Sequence, residues 1–234
     1  GRTGRGRGVM AIKLISAKDA ALQNGIKVLI YGPAGSGKTV FCTTAPDDEK
    51  TLIISAEGGL LSIQDNALVD ICVVTSIDDV YEIFNHLKGE HPYQWICLDS
   101  ISEIAEVVLN AEKAKTKDPR QAYGALIDQM TALIRSFRDL PTNVVMTAKM
   151  DRVNDDHANT LLFMPSMPGA RLAQSLAYFF DEVFCIRLTK NADGVIERSL
   201  QTSRDIQYEA KDRSGKLDPY EFPTLANIAN KIRN

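Results

Sequence analysis

An eight-residue run near the start of the chain has the residue types and the spacing of a phosphate-binding loop. The run fits the pattern G-x-x-x-x-G-K-[ST] at every fixed position and consists of Gly32, Pro33, Ala34, Gly35, Ser36, Gly37, Lys38 and Thr39. Its glycines let the backbone wrap around phosphate groups with the N–H groups pointing inward, at the positive end of a helix dipole. We expect Lys38 to reach the β- and γ-phosphates of ATP, and the hydroxyl of Thr39 to ligate Mg²⁺. The alternative is a chance glycine-rich turn, but an apolar strand-like stretch precedes the run and a segment that can start a helix follows it.

Two further acidic residues follow strand-like runs and could complete such a site. Asp99 ends the run that starts at Trp95, where a Walker B acid would bind the nucleotide-associated Mg²⁺. A strand-end acid without a role is the alternative. The next residue is Ser100, whereas many ATPases place there a glutamate that orients the attacking water. Glu57 therefore becomes the candidate general base, with a solvated loop acid or helix-start charge as its alternative, and Glu103 is a weaker candidate.

The elements that must position these residues form an alternating pattern over the first two thirds of the chain. Apolar, strand-like runs are predicted at 26–31, 51–56, 71–75, 95–99 and 143–148. Helix-like stretches lie between them at 78–87, 102–115 and 123–139. Continuous apolar strands that alternate with helices indicate an α/β fold whose mostly parallel sheet is covered on both faces.

The final third has a different pattern. Strand-like runs at 182–188 and 195–202 flank a turn at 191–194, which predicts an antiparallel hairpin at one end of the sheet. Another strand is predicted near 206–210, and a short helix at 224–232. We predict one ATPase domain over 26–234, preceded by a short N-terminal segment at 10–25. Residues 1–9 are read as a cloning remnant, with an RG-type nucleic-acid tail as the alternative.

Composition limits the classes of function. The formal charge is −3, from 27 basic and 30 acidic residues, so bulk charge gives no argument for nucleic-acid binding. No apolar run is long enough for a membrane span and no signal peptide is evident, so we expect a cytoplasmic protein. The four cysteines lack metal-ligand spacing and are expected to be buried reduced thiols.

The combination of the phosphate loop, Glu57 and the Asp99-Ser100 pair resembles the core ATPase of the RecA-type recombinases. In that core a glutamate ends the second strand, and an acid followed by a small polar residue ends the Walker B strand. From about Ile26 onward the chain is similar to small phage-encoded P-loop proteins of a nucleotide-binding AAA-like family, which act as single-strand annealing recombinases. The resemblance implies a RecA-like P-loop core with antiparallel strands at its C-terminal edge. An AAA+ protein is disfavoured, because a hairpin is predicted after Ala148 where that class has a helical lid.

Two departures from the RecA pattern affect what the resemblance implies. RecA-like proteins usually end the strand after Walker B with a polar amide that senses the γ-phosphate, whereas Lys149 follows Ala148 here. Lys149 is either a charged sensor or a lysine that snorkels from a strand end. Residues 10–25 are too few for the N-terminal module of full-length RecA-type recombinases, so the resemblance leaves open how protomers associate.

The segment 210–215 is similar to the Lys-x-Arg-x-Gly element of hexameric RecA-type helicases and of bacterial RadA. The resemblance implies that Lys211 and Arg213 cross a subunit interface and act on the neighbour's γ-phosphate, which would make the protein a homo-oligomer, either a ring or a filament. A cation supplied in this way stabilises the transferring phosphoryl group. The alternative is an ordinary charged turn.

DNA contacts are implied only by the same resemblance. RecA-like folds place their first DNA loop after the helix that follows Walker B, where this chain has Lys113, Lys115, Lys117 and Arg120. The second loop corresponds to 150–169, which carries Arg152 and His157. Such loops would bind single-stranded DNA through its phosphates, without sequence preference and with strong salt dependence. Without the resemblance, a solvated charge run is the better interpretation.

Three classes of function remain in competition. The leading hypothesis is an ATPase that binds single-stranded DNA and acts as an oligomeric recombination or annealing protein; a single-strand-binding protein is a further candidate partner. The second is a RecA-type motor or loader that acts on a protein partner without binding DNA. A small-molecule kinase fits poorly, because no arginine-rich lid is evident.

Overall fold

The computed structural model describes residues 12–58 and 60–234. In this part of the chain, strands of one sheet run through the whole molecule in the order β10-β8-β7-β1-β5-β4-β2-β3, with β6 paired to β5 and β9 paired to β7. The strands with parallel neighbours are β1 (Lys27–Gly32), β2 (Thr51–Ser55), β3 (Val69–Val73), β4 (Trp95–Asp99), β5 (Asn143–Asp155) and β7 (Glu182–Lys190). The remaining strands are antiparallel to their neighbours: β6 (Thr160–Ser166), β8 (Ile196–Gln201), β9 (Lys211–Asp212) and β10 (Tyr220–Glu221). The fold is therefore the predicted α/β class, with a mostly parallel sheet and antiparallel strands at one edge.

Most of the α-helices in the described residues begin at capping side chains that the sequence supplies, and two begin after glycines without such a cap. The helices are α1 (Ala17–Asn24), α2 (Lys38–Phe41), α3 (Ile77–Leu87), α4 (Ile101–Lys115), α5 (Pro119–Arg138), α6 (Ala170–Ser175) and α7 (Leu225–Arg233). The side chain of Ser76 caps α3 and forms a reciprocal capping box with Asp79. The side chain of Ser100 caps α4, and Asp118 caps α5, in which proline occupies the first position.

The central strands are buried on both faces, and successive side chains pack into two different cores. In β1, Leu29 and Tyr31 pack into the core under α3, α4 and α5. Val28 and Ile30 point the other way, into the core that α2 and α7 cover. This alternation explains why β1 is apolar at almost every position, because both of its faces exclude water.

The parallel register brings the carboxyl ends of four central strands to one edge of the sheet. Gly32 at the end of β1 lies opposite Lys149 in β5, and Ser55 at the end of β2 lies opposite Asp99 in β4. Chain segments that leave these strands must therefore meet above this edge, which is where ligands of open α/β sheets bind.

Several element boundaries correct the sequence prediction. β5 extends to Asp155, well beyond the predicted end at Ala148, because its second half pairs with β6 as an antiparallel hairpin. Residues 206–210 do not form the predicted strand. They make a single isolated β-bridge, between Tyr208 and Phe163. β3 begins and ends two residues earlier than predicted, and α5 begins four residues earlier, at its Asp118-Pro119 cap.

Other expectations concern the cysteines, the first residues and membranes. Cys42, Cys97 and Cys185 are buried free thiols, as predicted, whereas Cys72 is only half-buried. The expectations for residues 1–9 lie outside the described residues. Among the helices that the structure does describe, none combines the length and the apolar character needed to cross a bilayer.

Candidate functional site

The phosphate loop connects the end of β1 to α2, as the motif requires. Gly32 has no room for a side chain, because a Cβ atom there would lie 2.8 Å from Ser36 Oγ and 3.1 Å from Ile186 Cβ. Gly37 has a φ of 101°, which residues with a side chain rarely adopt. The hydroxyl of Ser36 is buried and has no hydrogen-bond partner among the described residues. The loop therefore holds a tight conformation with a buried polar atom left for another partner.

Lys38 lies across the mouth of this loop. Its Nζ donates hydrogen bonds to the carbonyl oxygens of Gly32 and Pro33, both at 2.9 Å. Burial lowers the pKa of Lys38, while the nearby carboxylates of Glu57 and Asp99 act in the opposite direction. A half-buried cation next to a phosphate-sized loop is suited to bind the oxygens of a polyphosphate.

Asp99 lies at the centre of a chain of hydroxyl contacts. Thr39 Oγ1 donates to one of its carboxylate oxygens at 2.7 Å, and Thr147 Oγ1 donates to the other at 2.6 Å. Asp99 is 2% exposed, so these contacts fix its orientation. Hydroxyl and carboxylate oxygens are the hard ligands that Mg²⁺ prefers, and Thr39 and Asp99 together fit a magnesium ion that also contacts phosphate. No sequence pattern marks Thr147 as a site residue, because it lies beside Asp99 only through the pairing of β5 with β4.

Glu57 occupies another wall of the same cavity. One of its carboxylate oxygens accepts a hydrogen bond from Ser100 Oγ at 2.5 Å. Its backbone carbonyl accepts one from Ser55 Oγ at 2.6 Å, so side chain and backbone are both held. Ser100 thus takes the place of the expected catalytic glutamate and positions Glu57 instead.

Lys149 and Glu103 form an ion pair beside this site. Their charged atoms are 2.8 Å apart, and this hydrogen bond raises the pKa of Lys149. Lys149 lines the cavity, whereas Glu103 is turned toward Lys149. Of the two glutamates considered as a base, Glu57 is therefore the one in contact with the cavity.

The cavity between these residues has a volume of about 820 Å³ and two different ends. One end contains the carboxylates of Glu57 and Asp99 together with Lys149. The other end lies toward β8 and β10 and is formed by Val40, Phe222, Pro223 and the Arg198 side chain. A ligand with a charged part and an apolar part matches this distribution.

Arg198 is a cavity residue that the sequence analysis missed. It lies in β8 opposite Leu188 of β7, and its Nε donates to the backbone oxygen of Ser36 at 3.0 Å. A Cβ atom on Gly37 would be only 3.6 Å from the same Nε. The hairpin thus places a second cation on the phosphate loop. The alternation of side chains along the predicted strand 195–202 was the available signal for Arg198. It does not show which loop those side chains face.

Lys211 and Arg213 lie near the amino ends of β1 and β7, whereas the phosphate loop of the same chain lies at the carboxyl end of β1. Asp212 pairs with Glu182, which in turn lies opposite Val28 near the start of β1. The loop begins at Gly32, about 13 Å further along the strand. Lys211 donates to the carbonyl of Ala177 at 2.6 Å, and Arg213 pairs with Asp181 at 2.8 Å. The structure does not bring these two cations together with the other predicted catalytic residues.

The residues predicted to contact DNA lie at the junction of α4 and α5. Lys113 is 5.7 Å from the centre of the Tyr123 ring, and Lys115 pairs with Glu112 at 2.8 Å. Lys117 and Arg120 are exposed at the turn between the helices. Because α4 rises about 1.5 Å per residue, Lys113 is about 20 Å from Ser100 along the helix.

The second predicted DNA segment is mainly the β5–β6 hairpin, and its charge differs from the expectation. Arg152 is exposed, but Asp151, Asp155 and Asp156 all lie within four residues of it in the sequence, so the hairpin carries more acidic than basic groups. The C-terminal end of this second segment lies next to the helix junction, because a Cβ atom on Gly169 would be 3.4 Å from the Tyr123 ring. The two segments therefore adjoin, but only the helix junction is basic.

The fold and the site together define a P-loop nucleotide-binding domain. A family model described as an AAA domain matches residues 24–214. The chain belongs to this AAA domain family. The match covers most of the chain and includes the phosphate loop, the two carboxylates and the hairpin.

The family description says nothing of a helical lid, so the expectation that disfavoured an AAA+ protein stays a prediction. The observation behind that expectation holds for the described residues, because β5 continues into the antiparallel strand β6, as predicted, rather than into a helical lid.

A similar solved structure is that of the KaiC-like protein PH0186 from the hyperthermophilic archaeon Pyrococcus horikoshii OT3. The two chains are 13% identical over 75% of this chain and 76% of the other, with a TM-score of 0.42. This similarity is too distant to bear on the site residues. No curated protein matches the chain at a significant level.

Proposed function

We propose that the chain binds Mg²⁺ and ATP in the phosphate-loop cavity and hydrolyses ATP to ADP and phosphate. The observation that carries this proposal is the hydroxyl chain from Thr39 through Asp99 to Thr147, with Glu57 on a facing wall of the cavity. Lys38 would bind the β- and γ-phosphates. Thr39 and Asp99 would hold the metal, which when bound neutralises charge on the phosphate oxygens.

Hydrolysis follows from the position of Glu57. A water molecule held by its carboxylate attacks the γ-phosphorus, and its proton passes to Glu57. The bond from the γ-phosphorus to the oxygen that bridges it to the β-phosphate breaks, and ADP leaves with that oxygen. Lys149, once released from Glu103, could add positive charge near the transferred group. Ser100 holds Glu57 in place and also caps α4.

Replacing Lys38 tests the assignment of the loop. Lys38→Ala should lose most of its affinity for ATP and remain folded, because the lysine offers charge to phosphate and little to either core. Lys18→Ala, which changes an exposed lysine on α1, is the matched control. Affinity is measured by titration with a fluorescent ATP analogue, and folding by circular dichroism. Near-wild-type affinity in a folded Lys38→Ala protein would refute the assignment.

We further propose that the protein works as an oligomeric, single-stranded-DNA-binding recombination or annealing protein, like the phage-encoded family that its sequence resembles. The support is a continuous path from the nucleotide site to the basic helix junction. Ser100 caps α4, and Ser102, two residues along, accepts a hydrogen bond from the Lys149 backbone and donates one to the carbonyl of Ser166. α4 thus contacts Glu57, both strands of the hairpin and, at its other end, the basic residues.

Binding to labelled oligo-dT, with and without a non-hydrolysable ATP analogue, tests this proposal. Replacing Lys113, Lys115 and Lys117 together by glutamine should weaken DNA binding. The slope of log affinity against log salt concentration should also become shallower, by the release of up to about three counterions, because each phosphate contact releases counterions. ATP binding should not change. Arg152→Gln is the comparison variant, since the acidic hairpin around it predicts a much smaller effect. An unchanged salt slope in the triple variant would leave the helix junction as a solvated surface.

A motor or loader ATPase that acts on a protein partner is the second candidate. It is favoured by the acidic β5–β6 hairpin, since three aspartates near Arg152 repel a phosphate backbone. Absence of oligo-dT binding at low salt by a protein that still binds ATP would favour this candidate. Acceleration of annealing between complementary oligonucleotides would favour the first.

A further inference from the structure

We propose that Phe222 is the nucleobase platform of the ATP site, and that the site selects bases by stacking and hardly distinguishes adenine from guanine. This inference rests on the proposed function and specifies how that site treats its substrate. Phe222 is 70% exposed although it lines the nucleotide cavity. An aromatic ring that stays in water at the wall of a cavity loses that water contact when a flat ligand stacks on it.

The platform is held rigidly next to α2. The backbone N–H of Ala226 donates to the carbonyl of Thr44 at 2.8 Å, and that of Leu225 donates to the Thr44 hydroxyl, also at 2.8 Å. These bonds fasten the start of α7 to the end of α2. Phe222 and Pro223 precede this anchored point and follow β10, on the β7–β8 side of β1, whereas Glu57 follows β2 on the other side of β1, so they lie on opposite sides of the phosphate loop. A nucleotide whose γ-phosphate is near Glu57 therefore has its base at the Phe222 end.

The groups at this end explain the expected lack of base selectivity. Apolar contacts come from Val40, Phe222 and Pro223. The hydroxyl of Thr44 already donates to the Phe41 carbonyl at 2.6 Å and accepts from the Leu225 N–H. The hydroxyl of Thr224 accepts from the Asn227 N–H, as the cap of α7. Apart from Lys38 and Arg198, which both donate to backbone carbonyls of the phosphate loop, the described residues of α2, β8 and 222–224 place no charged or amide side chain on the cavity.

Stacking and hydrogen bonding select bases to very different degrees. A site whose buried polar groups pair with a substrate can reject an analogue by about 10⁴-fold, whereas apolar contact discriminates far less. Stacking works for every base, because every base has an aromatic face. We therefore expect ATP and GTP to bind within about 10-fold of each other, and inorganic tripolyphosphate, which has no base, to bind more weakly than either.

The test compares these three ligands in competition with a fluorescent ATP analogue. Phe222→Ala should weaken the binding of ATP and GTP by roughly 5- to 150-fold, which is the range for loss of one stacked base, and leave tripolyphosphate binding unchanged. Phe222→Trp should keep the affinity for both nucleotides. Tyr178→Ala, which removes an exposed aromatic ring outside the cavity, is the matched control and should change nothing.

Each contrary result has a separate meaning. Wild-type ATP affinity in Phe222→Ala would overturn the platform, while ATP binding that still depends on Lys38 would leave the proposed function intact. A preference of more than about 100-fold between ATP and GTP would overturn the stacking-only selection, because it requires hydrogen-bond readout of the base. Equal loss of tripolyphosphate affinity in Phe222→Ala would show a general disturbance of the loop and would also overturn the proposal. Failure of the wild-type protein to bind any of the three ligands would instead reject the proposed function.

Discussion

At the scale of single residues, the site is organised by hydroxyl groups. Asp99 is fixed by Thr39 and Thr147, and Glu57 is fixed by Ser100. The sequence predicted the loop and both carboxylates, because each of them follows a recognisable apolar strand. It could not predict Thr147 or Arg198 as site residues. Their positions depend on which strands become neighbours and which way a hairpin faces, and no local pattern reports either.

A substitution of the proposed base separates binding from chemistry. Glu57→Gln should bind ATP as the wild type does but hydrolyse it more slowly, by about 10²-fold or more. The reason is that the amide accepts the Ser100 hydrogen bond but cannot take a proton. Turnover is measured as phosphate release at saturating ATP. Glu103→Gln is the comparison variant and should retain much of its activity. If Glu103→Gln abolishes turnover and Glu57→Gln does not, the base has been assigned to the wrong residue.

At the scale of elements, the apolar central strands were predictable and the polar ones were not. β1, β2 and β4 were predicted within one residue at each end, because burial on both faces demands continuous apolar runs. The second half of β5 is exposed and polar, so its sequence resembles a loop, and only pairing with β6 makes it a strand. α1 buries no residue among those described; Ser16 caps it, but no apolar face in its sequence marked it as a helix.

The pairing of β9 with β7 makes a pH-dependent contribution to stability. Glu182 is 2% exposed, and burial, together with a hydrogen bond to Asp212, raises its pKa to about 9. Its ordinary value is 4.5, so its contribution to stability is fully present below about pH 4.5 and is lost as the pH rises toward 9. Glu182→Gln should therefore gain stability relative to the wild type as the pH increases from about 5 to about 9. Thermal denaturation across this range measures the gain, and a difference independent of pH would contradict the ionisation of Glu182.

At the scale of the whole molecule, one sheet with a core on each face supports a cavity at one edge and a basic helix junction nearby. The same sheet separates two sets of cations. Lys38, Arg198 and Lys149 line the cavity, whereas Lys211 and Arg213 lie at the far edge. If the far pair acts in catalysis, as the resemblance implies, it must act on the nucleotide of another subunit.

Mixing two inactive variants tests whether Arg213 acts on the nucleotide of another subunit. Arg213→Ala should bind ATP in its own loop and hydrolyse it slowly, because charge on the transferred phosphoryl group is no longer compensated by a neighbour. Lys38→Ala has a defective loop and an intact Arg213. A mixture of the two proteins should regain part of the turnover, since some interfaces then combine an intact loop with an intact arginine. No recovery at any ratio, with mixed assembly verified by light scattering, would return the segment to an ordinary charged turn.

The opposite positions of the phosphate loop and of Lys211 and Arg213 also have a consequence for how activity depends on concentration. A contact that joins one surface to a different surface on the next copy is directional, and it either closes into a ring or leaves two unlike ends. In an open chain of subunits, the last loop has no donor, so the fraction of silent sites falls as the chain grows longer. Specific activity would then rise gradually with protein concentration and approach a plateau. A closed ring has no last loop, and its activity would appear steeply at the concentration where rings form.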